Sequence, residues 1–248
     1  MKPLRVATWN IHKGFSAFNS RVIVHELRER LRNLDADIVL LQEVQGLHSG
    51  HAGRHANWPV SPQHEFLAEE VWAHTAYGRN VIYDHGHHGN AILSRYPIVL
   101  EHNQDVTHLR FEKRGLLHCA IEVPRMKQAL HCVCVHLSLF GQSRQRQADA
   151  LASRIATVVP DAAPLLIAGD FNDWGNRAGP RLAEKLHLDE AHAMLHKHPA
   201  LSFPARLPLL PLDRIYVRGL SVAHSNVHRG RAWARLSDHA ALSADLLF

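Results

Sequence analysis

The sequence predicts an α/β fold in which two β-sheets pack against each other and helices flank them. Three observations carry that expectation. Short apolar strands alternate with amphipathic helices along all 248 residues, hydrophobic residues make up 46% of the chain, and no repeat or linker divides it. An ordinary apolar fraction supports one sizeable core, and runs of β-structure broken by a few helices point to layered sheets. A single domain over residues 1–248 is expected.

The first strand runs from Leu4 to Trp9. A helix follows, with Ser20 as its N-cap. Ile23, Leu27, Leu31 and Leu34 recur on one face, while Arg28, Glu29, Arg30 and Arg32 face water. Asp37 to Gln42 is a short apolar strand. Residues 45–64, rich in Gly, His, Pro and Ser, read as a loop, and 65–74 as a helix.

Three strands come next, at Asn90–Ser94, Leu116–Val123 and Ala129–Leu137. From Leu117 to Val123 the apolar residues occupy every second position, as a half-buried strand requires. Leu151, Ile155 and Val159, four apart, predict a helix over 143–159. Leu165–Ala168 is a fully apolar strand and Pro180–Leu188 a short helix. Strands at Arg214–Val217, Ser221–Val227 and Ala240–Leu246 end the chain.

The formal net charge is +5 with histidine neutral, and there are 22 histidines. A basic surface favours anionic partners such as nucleic acid, phospholipid headgroups or phosphorylated metabolites, without choosing among them. No run approaches the roughly 20 apolar residues that span a bilayer, and the opening residues lack the core of a signal peptide. Cys119, Cys132 and Cys134 fall in apolar runs without metal-ligand spacing, so a reducing cytoplasm is expected. A monomer is expected as well.

The polar residues that call for explanation sit at the ends of apolar strands. They are Asn10, Gln42-Glu43, His136 and Asp170-Phe171-Asn172, together with Asp213 at the start of a strand and Ser237-Asp238-His239 before the last one. Taken singly, an acidic residue after a strand is more often a turn former or helix cap. Together they form the parts list of hard-cation phosphate chemistry. Mg²⁺ takes oxygen ligands and keeps several waters, which makes Glu43 the best primary ligand, with Asn10 and Asp238 close behind. Asp170 is the candidate to orient and deprotonate a water. Asn172 can hold the nucleophile or the phosphate, and His239 and His136 can bind phosphoryl oxygens. Asp213 is the expected partner that fixes the second nitrogen of His239.

These blocks resemble the endonuclease/exonuclease/phosphatase superfamily. The match runs from Thr8-Trp9-Asn10-Ile11-His12 through Leu41-Gln42-Glu43-Val44, Gly89–Ser94, Gly169-Asp170-Phe171-Asn172 and Leu212–Ile215 to Ser237-Asp238-His239. The resemblance implies a four-layer sandwich of two mixed sheets flanked by helices, with the site at one end of the paired sheets. It implies Mg²⁺ or Mn²⁺ dependence and supports the roles given above to Asn10, Glu43, Asp170, Asn172, Asp213, Asp238 and His239. His136 looks like the histidine that nuclease and lipase branches place opposite the scissile phosphate. Many nucleases of the family carry an acidic residue where this chain has His12, which weakens the case for a second metal near the N-terminus.

Other features bear on the substrate. Arg114 is placed to reach the site, though it reads equally as a solvated turn cation. Asn90 reads as turn chemistry, and the histidines at 48, 51, 55, 64, 85, 87 and 88 as exposed loop residues rather than a metal site. The segment Phe203–Pro211 can form an apolar wall beside the phosphate pocket or a rigid connection packed against the core, and Trp174 can stack on a base or contact a substrate or equally belong to the core. The leading expectation is a phosphodiesterase acting on single-stranded or non-specific nucleic acid. A phospholipid or sugar-phosphate hydrolase is the alternative within the enzyme class, and a silent phosphate-binding protein the alternative outside it.

Overall fold

The computed structural model describes residues 3–16 and 21–248. In chain order its strands are β1 (Leu4–Asn10), β2 (Ile38–His48), β3 (His74–Tyr83), β4 (Gly86–Ser94), β5 (Ile98–Asp105), β6 (Gly115–Ile121), β7 (Leu130–His136), β8 (Leu165–Asp170), β9 (Asp189–Glu190), β10 (Asp213–Arg218), β11 (Ser221–His228) and β12 (Ala241–Leu247). The helices are α1 (Val24–Asn33), α2 (Ser49–Ala52), α3 (Gln63–Ala68), α4 (Gly141–Val158), α5 (Ala178–Leu186) and α6 (Ala191–His196).

Two six-stranded sheets result, in the orders β11-β12-β1-β2-β4-β3 and β5-β6-β7-β8-β10-β9. Both are mixed. The β1–β2 and β7–β8 pairs are parallel, and their other neighbours antiparallel. Strand alternation builds the layers. In β1, Leu4 and Val6 face the second sheet while Ala7 and Trp9 face α1. In β7, Cys132 and Cys134 face the first sheet while Val133 and Val135 meet α4.

Leu27 and Leu31 of α1 and Phe66 and Leu67 of α3 cover one outer face; Leu151 and Ile155 of α4 and Leu182 of α5 cover the other. The result is the expected four-layer sandwich. Each fully buried aliphatic side chain in it contributes about 1.5–3 kcal/mol. All three cysteines are buried free thiols. Among the described residues no helix is long and apolar enough to cross a membrane.

Several expectations are corrected. Ser20 lies outside the described residues, and α1 begins at Val24 behind Ile23. The 45–64 stretch is not all loop, because β2 continues to His48 by pairing Gln45 with His88 and His48 with Gly86. The helix expected at 65–74 is only Gln63–Ala68, since Glu69 leaves helical geometry and Glu70 turns to φ 67. Asn90 is no turn residue. It is buried inside β4 and its Nδ2 donates to the carbonyls of Gly115 and Cys134 at 3.1 and 3.3 Å, tying one sheet to the other.

Candidate active site

Parity along the strands brings the polar residues together. Asn10, Gln42, His136, Asp170 and Asp213 share the inward phase of Val6, Leu40, Cys134, Ala168 and Ile215, at one common end of the two sheets. In the pairing register Asn10 lies beside Gln42, while Asp170 lies between His136 and Asp213. Glu43 has the wrong parity for this face. A bulge between Leu41 and Val44, with Glu43 at φ 54, breaks the alternation and brings its carboxylate 3.4 Å from Asn10 Nδ2. Gly169 keeps β8 in register and lets it pass close to β7 just before Asp170. It sits at φ 144, and a Cβ there would lie 2.0 Å from the Val135 carbonyl oxygen.

Asp170 is the centre of the cluster, at 1% exposure. Its Oδ1 accepts the backbone N–H of Asn172 at 2.9 Å, and its Oδ2 accepts Asn10 Nδ2 at 3.3 Å. His136 Nε2 and His239 Nε2 approach the same Oδ2 at 3.5 and 3.8 Å. Asn172 is itself left-handed at φ 48, and its Nδ2 donates to the Leu137 carbonyl at 2.9 Å. Asp213, fully buried, lies 2.8 Å from His239 Nδ1 through its Oδ2, so this nitrogen carries the proton.

The electrostatics follow from this packing. Burial alone would lower the His239 pKa, but the Asp213 and Asp170 carboxylates outweigh it and raise it to about 10. His136 goes the other way. Burial, reinforced by the charges of Arg114 and His239, holds it well below the ordinary imidazole value and keeps it neutral. Burial pushes the Asp170 carboxyl up. Burial would raise Glu43 as well, but Lys13 and His12 hold it low and ionised.

The third edge of the site is the Ser237-Asp238-His239 segment. Ser237 Oγ donates to the Asn10 carbonyl at 2.7 Å, and Trp9 Nε1 donates to the His239 carbonyl at 2.9 Å. Asp238 lies 3.5 Å from His12 Nδ1 and is held low, against burial, by that contact and by the charge of His239. Arg114 stands at the rim. Its Nε donates to the Leu137 carbonyl at 3.3 Å and its Nη2 pairs with Glu112 at 3.2 Å, close enough to act on His136.

The donors suit a hard divalent cation. Asn10, Glu43 and Asp238 offer only amide and carboxylate oxygens, and Glu43 meets its neighbours at 3.4 and 3.5 Å, without a short hydrogen bond. Among the described residues, Asp170, Asp213 and His239 also offer ligand atoms within 4.8 Å of one another, and Asp213 Oδ1 is buried with no partner. In that second group the Asp213–His239 hydrogen bond already occupies Nδ1.

Some neighbours of the site were not anticipated. His12 and Lys13 lie on a left-handed 3-10 turn (His12–Gly14), where short polar spacing gives no periodic signal. Lys13 Nζ lies 3.5 Å from Glu43. Glu112, the anchor of Arg114 and Ser138, sits in a loop. Phe203 lies beside the site, with its ring 4.9 Å from that of His239, and the half-exposed Trp174 packs edge-on against it. The histidine-rich loop is less exposed than expected: His64 stacks on Tyr77, and burial lowers it to about 4.

A model described as the endonuclease/exonuclease/phosphatase family matches residues 7–239. The chain is 49% identical over 242 residues to protein YbhP of Escherichia coli (strain K12), covering 98% of this chain and 95% of that one. It is similar in structure to an endonuclease/exonuclease/phosphatase from Beutenbergia cavernae DSM 12333, with a TM-score of 0.76 at 22% identity, covering 99% of this chain and 72% of that one. The human Nocturnin catalytic domain with bound sulfate anion superimposes with a TM-score of 0.77 at 19% identity, covering 99% and 94%.

Proposed function

Because the chain belongs to the endonuclease/exonuclease/phosphatase family of phosphoesterases, we propose that it hydrolyses phosphodiester bonds in nucleic acid, single-stranded or without sequence preference, with Mg²⁺ or Mn²⁺. The observation that carries this reading is Asp170. It is a buried carboxylate tied down by Asn172 and Asn10 and faced by one neutral and one cationic imidazole.

In this reading Asp170 Oδ2 orients a water and accepts its proton as oxygen attacks phosphorus opposite the leaving group. His239, kept protonated by Asp213, donates from Nε2 to a phosphoryl oxygen as negative charge develops there. Neutral His136 binds a second oxygen, and Arg114, at the rim, offers its fork to the same phosphate. Asn172 holds Asp170 in place through its backbone N–H. Glu43, Asn10 and Asp238 would hold the metal, which would supply charge neutralisation at the non-bridging and leaving oxygens. The net charge of +5 supports a polyanionic substrate. The setting proposed is a monomer in a reducing cytoplasm, in keeping with three free cysteines.

Labelled single- and double-stranded oligonucleotides test this reading, incubated with Mg²⁺ or Mn²⁺, with EDTA, and with Asp170→Ala. The expected result is cleavage by the native protein that EDTA and the substitution both abolish. A folded protein that binds metal yet leaves every oligonucleotide intact contradicts the nuclease reading and favours phospholipid or sugar-phosphate esters.

A further inference from the structure

Beside Asp238 lies an open concavity of about 540 Å³ lined by Arg206, Gly230, Arg231, Ala234 and Arg235. Three exposed guanidinium groups line one hollow, and none of them has an ion pair or hydrogen bond among the described residues. Most other arginines of the molecule are engaged. Arg5, Arg28, Arg32, Arg95, Arg114, Arg144 and Arg214 all hold carboxylates, carbonyls or side-chain oxygens. Converging like charges repel, so an unneutralised trio around one hollow is a seat for an anion.

The hollow is built onto the catalytic end. The Ala205 N–H donates to the carbonyl of Asp238, which fastens the Arg206 loop to the site. Ala205, Ala234 and Ala240 pack together beneath the hollow. The turn carrying Arg231 and Arg235 is anchored by Trp233, whose ring lies 5.3 Å from that of Trp9, and it is continued by Ser237, which holds the Asn10 carbonyl. Gly230, at φ 100, lets the chain enter this turn. Only two residues separate Arg235 from Asp238, so their α-carbons lie within about 11 Å of each other.

We infer that Arg206, Arg231 and Arg235 form a second anion subsite, which takes a phosphate next along the strand from the one hydrolysed. This inference rests on the nucleic-acid reading of the active site and adds to it a substrate requirement: at least two phosphates. The subsite positions the strand and lies apart from the reacting atoms. It therefore selects oligomers over isolated phosphodiesters by binding rather than by rate.

The test is binding of a fluorescein-labelled oligothymidylate to the full chain in EDTA, followed by anisotropy over a range of KCl concentrations. The native protein is compared with R231Q/R235Q and with R125Q/K127Q. The latter removes equal charge from the β6–β7 turn at the opposite end of the sheets. R231Q/R235Q is expected to weaken binding on the order of tenfold and to lower the salt slope by about 0.7, the value for one phosphate on a single strand. R125Q/K127Q is expected to keep the native slope. Equal effects in the two variants, or native-like binding by R231Q/R235Q, overturn the subsite. Because the assay needs no turnover, the two readings separate: arginine-dependent binding without cleavage in Mg²⁺ retains the subsite and removes the nuclease.

Discussion

Replacing Asp213 with Asn tests the coupling on which the site's electrostatics depend. Asp213 is fully buried, and its Oδ2 lies 2.8 Å from His239 Nδ1. The distance between about 10 and the ordinary 6.5, to which Asp213 contributes most and Asp170 and Asp238 add, amounts to roughly 5 kcal/mol of preference for the protonated ring, at about 1.36 kcal/mol per tenfold change. An amide keeps the shape and can still accept from Nδ1, but it carries no charge, and burial then pushes His239 down. The ring should be neutral at mildly alkaline pH. Turnover should fall by about 10²–10³-fold, the usual loss on removing one donor to a developing oxyanion, and recover in part as pH is lowered.

Hydrolysis of bis(p-nitrophenyl) phosphate against pH supplies the rates, and an NMR titration of His239 supplies its charge. The same pair stabilises the fold at pH values below the ordinary imidazole pKa, and that contribution is lost as pH rises through about 10. Asp213→Asn should therefore narrow the stability difference between neutral and strongly alkaline pH. An Asp213→Asn protein with native kcat and an unmoved pH profile, or one whose His239 stays cationic, would refute the reasoning.

Three further outcomes are expected. Glu43→Gln should weaken Mg²⁺ or Mn²⁺ binding at least ~10-fold in calorimetric titration, since it removes the charged oxygen donor beside Asn10; native affinity would remove Glu43 from the metal site. Gly169→Ala should destabilise the protein by about 2–4 kcal/mol in urea unfolding, because its Cβ meets the Val135 carbonyl oxygen and φ is 144; a cost under about 0.5 kcal/mol, typical of a neutral surface change, would contradict the close approach. His118 is fully buried with its Nε2 2.9 Å from His131 Nδ1, and burial lowers it to about 4. Its neutral form stabilises the fold above the unfolded value of 6.5, and this is lost as pH falls toward about 4, by up to roughly 3 kcal/mol. His118→Gln should flatten that decline in denaturant melts, and an unchanged slope would exclude the mechanism.

Much of the fold was legible because its inner strands carry strong signals. Leu165–Ala168 and Val6–Trp9 are apolar runs ended by a polar residue, and alternation assigns each end residue to the inter-sheet face. That parity is why Asn10, His136, Asp170 and Asp213 converge, as local sequence suggested. Strands β3 and β5 escaped notice because they are sheet edges: sequences such as Ile98-Val99-Leu100-Glu101-His102-Asn103 have one wet side and no clean period. Asn90 looked like a turn former, and only the opposing sheet's carbonyls explain its burial. The bulge that redirects Glu43 is equally silent, since nothing in Gln42-Glu43-Val44 announces a left-handed residue. Lys13 meets the site through the redirected Glu43. The arginine hollow joins residues near 206 and 231–235, which only tertiary packing through Ala205 and Ala234 brings together.

The most direct measurement of the central claim is hydrolysis of bis(p-nitrophenyl) phosphate by the purified chain with and without Mg²⁺ or Mn²⁺, alongside Asp170→Asn. The expected result is turnover that requires the metal, is abolished by EDTA, and drops by about 10²–10⁴-fold in the variant. Turnover that persists in EDTA, or that Asp170→Asn retains at the native rate in a folded, metal-binding protein, would contradict a metal-dependent phosphoesterase centred on Asp170.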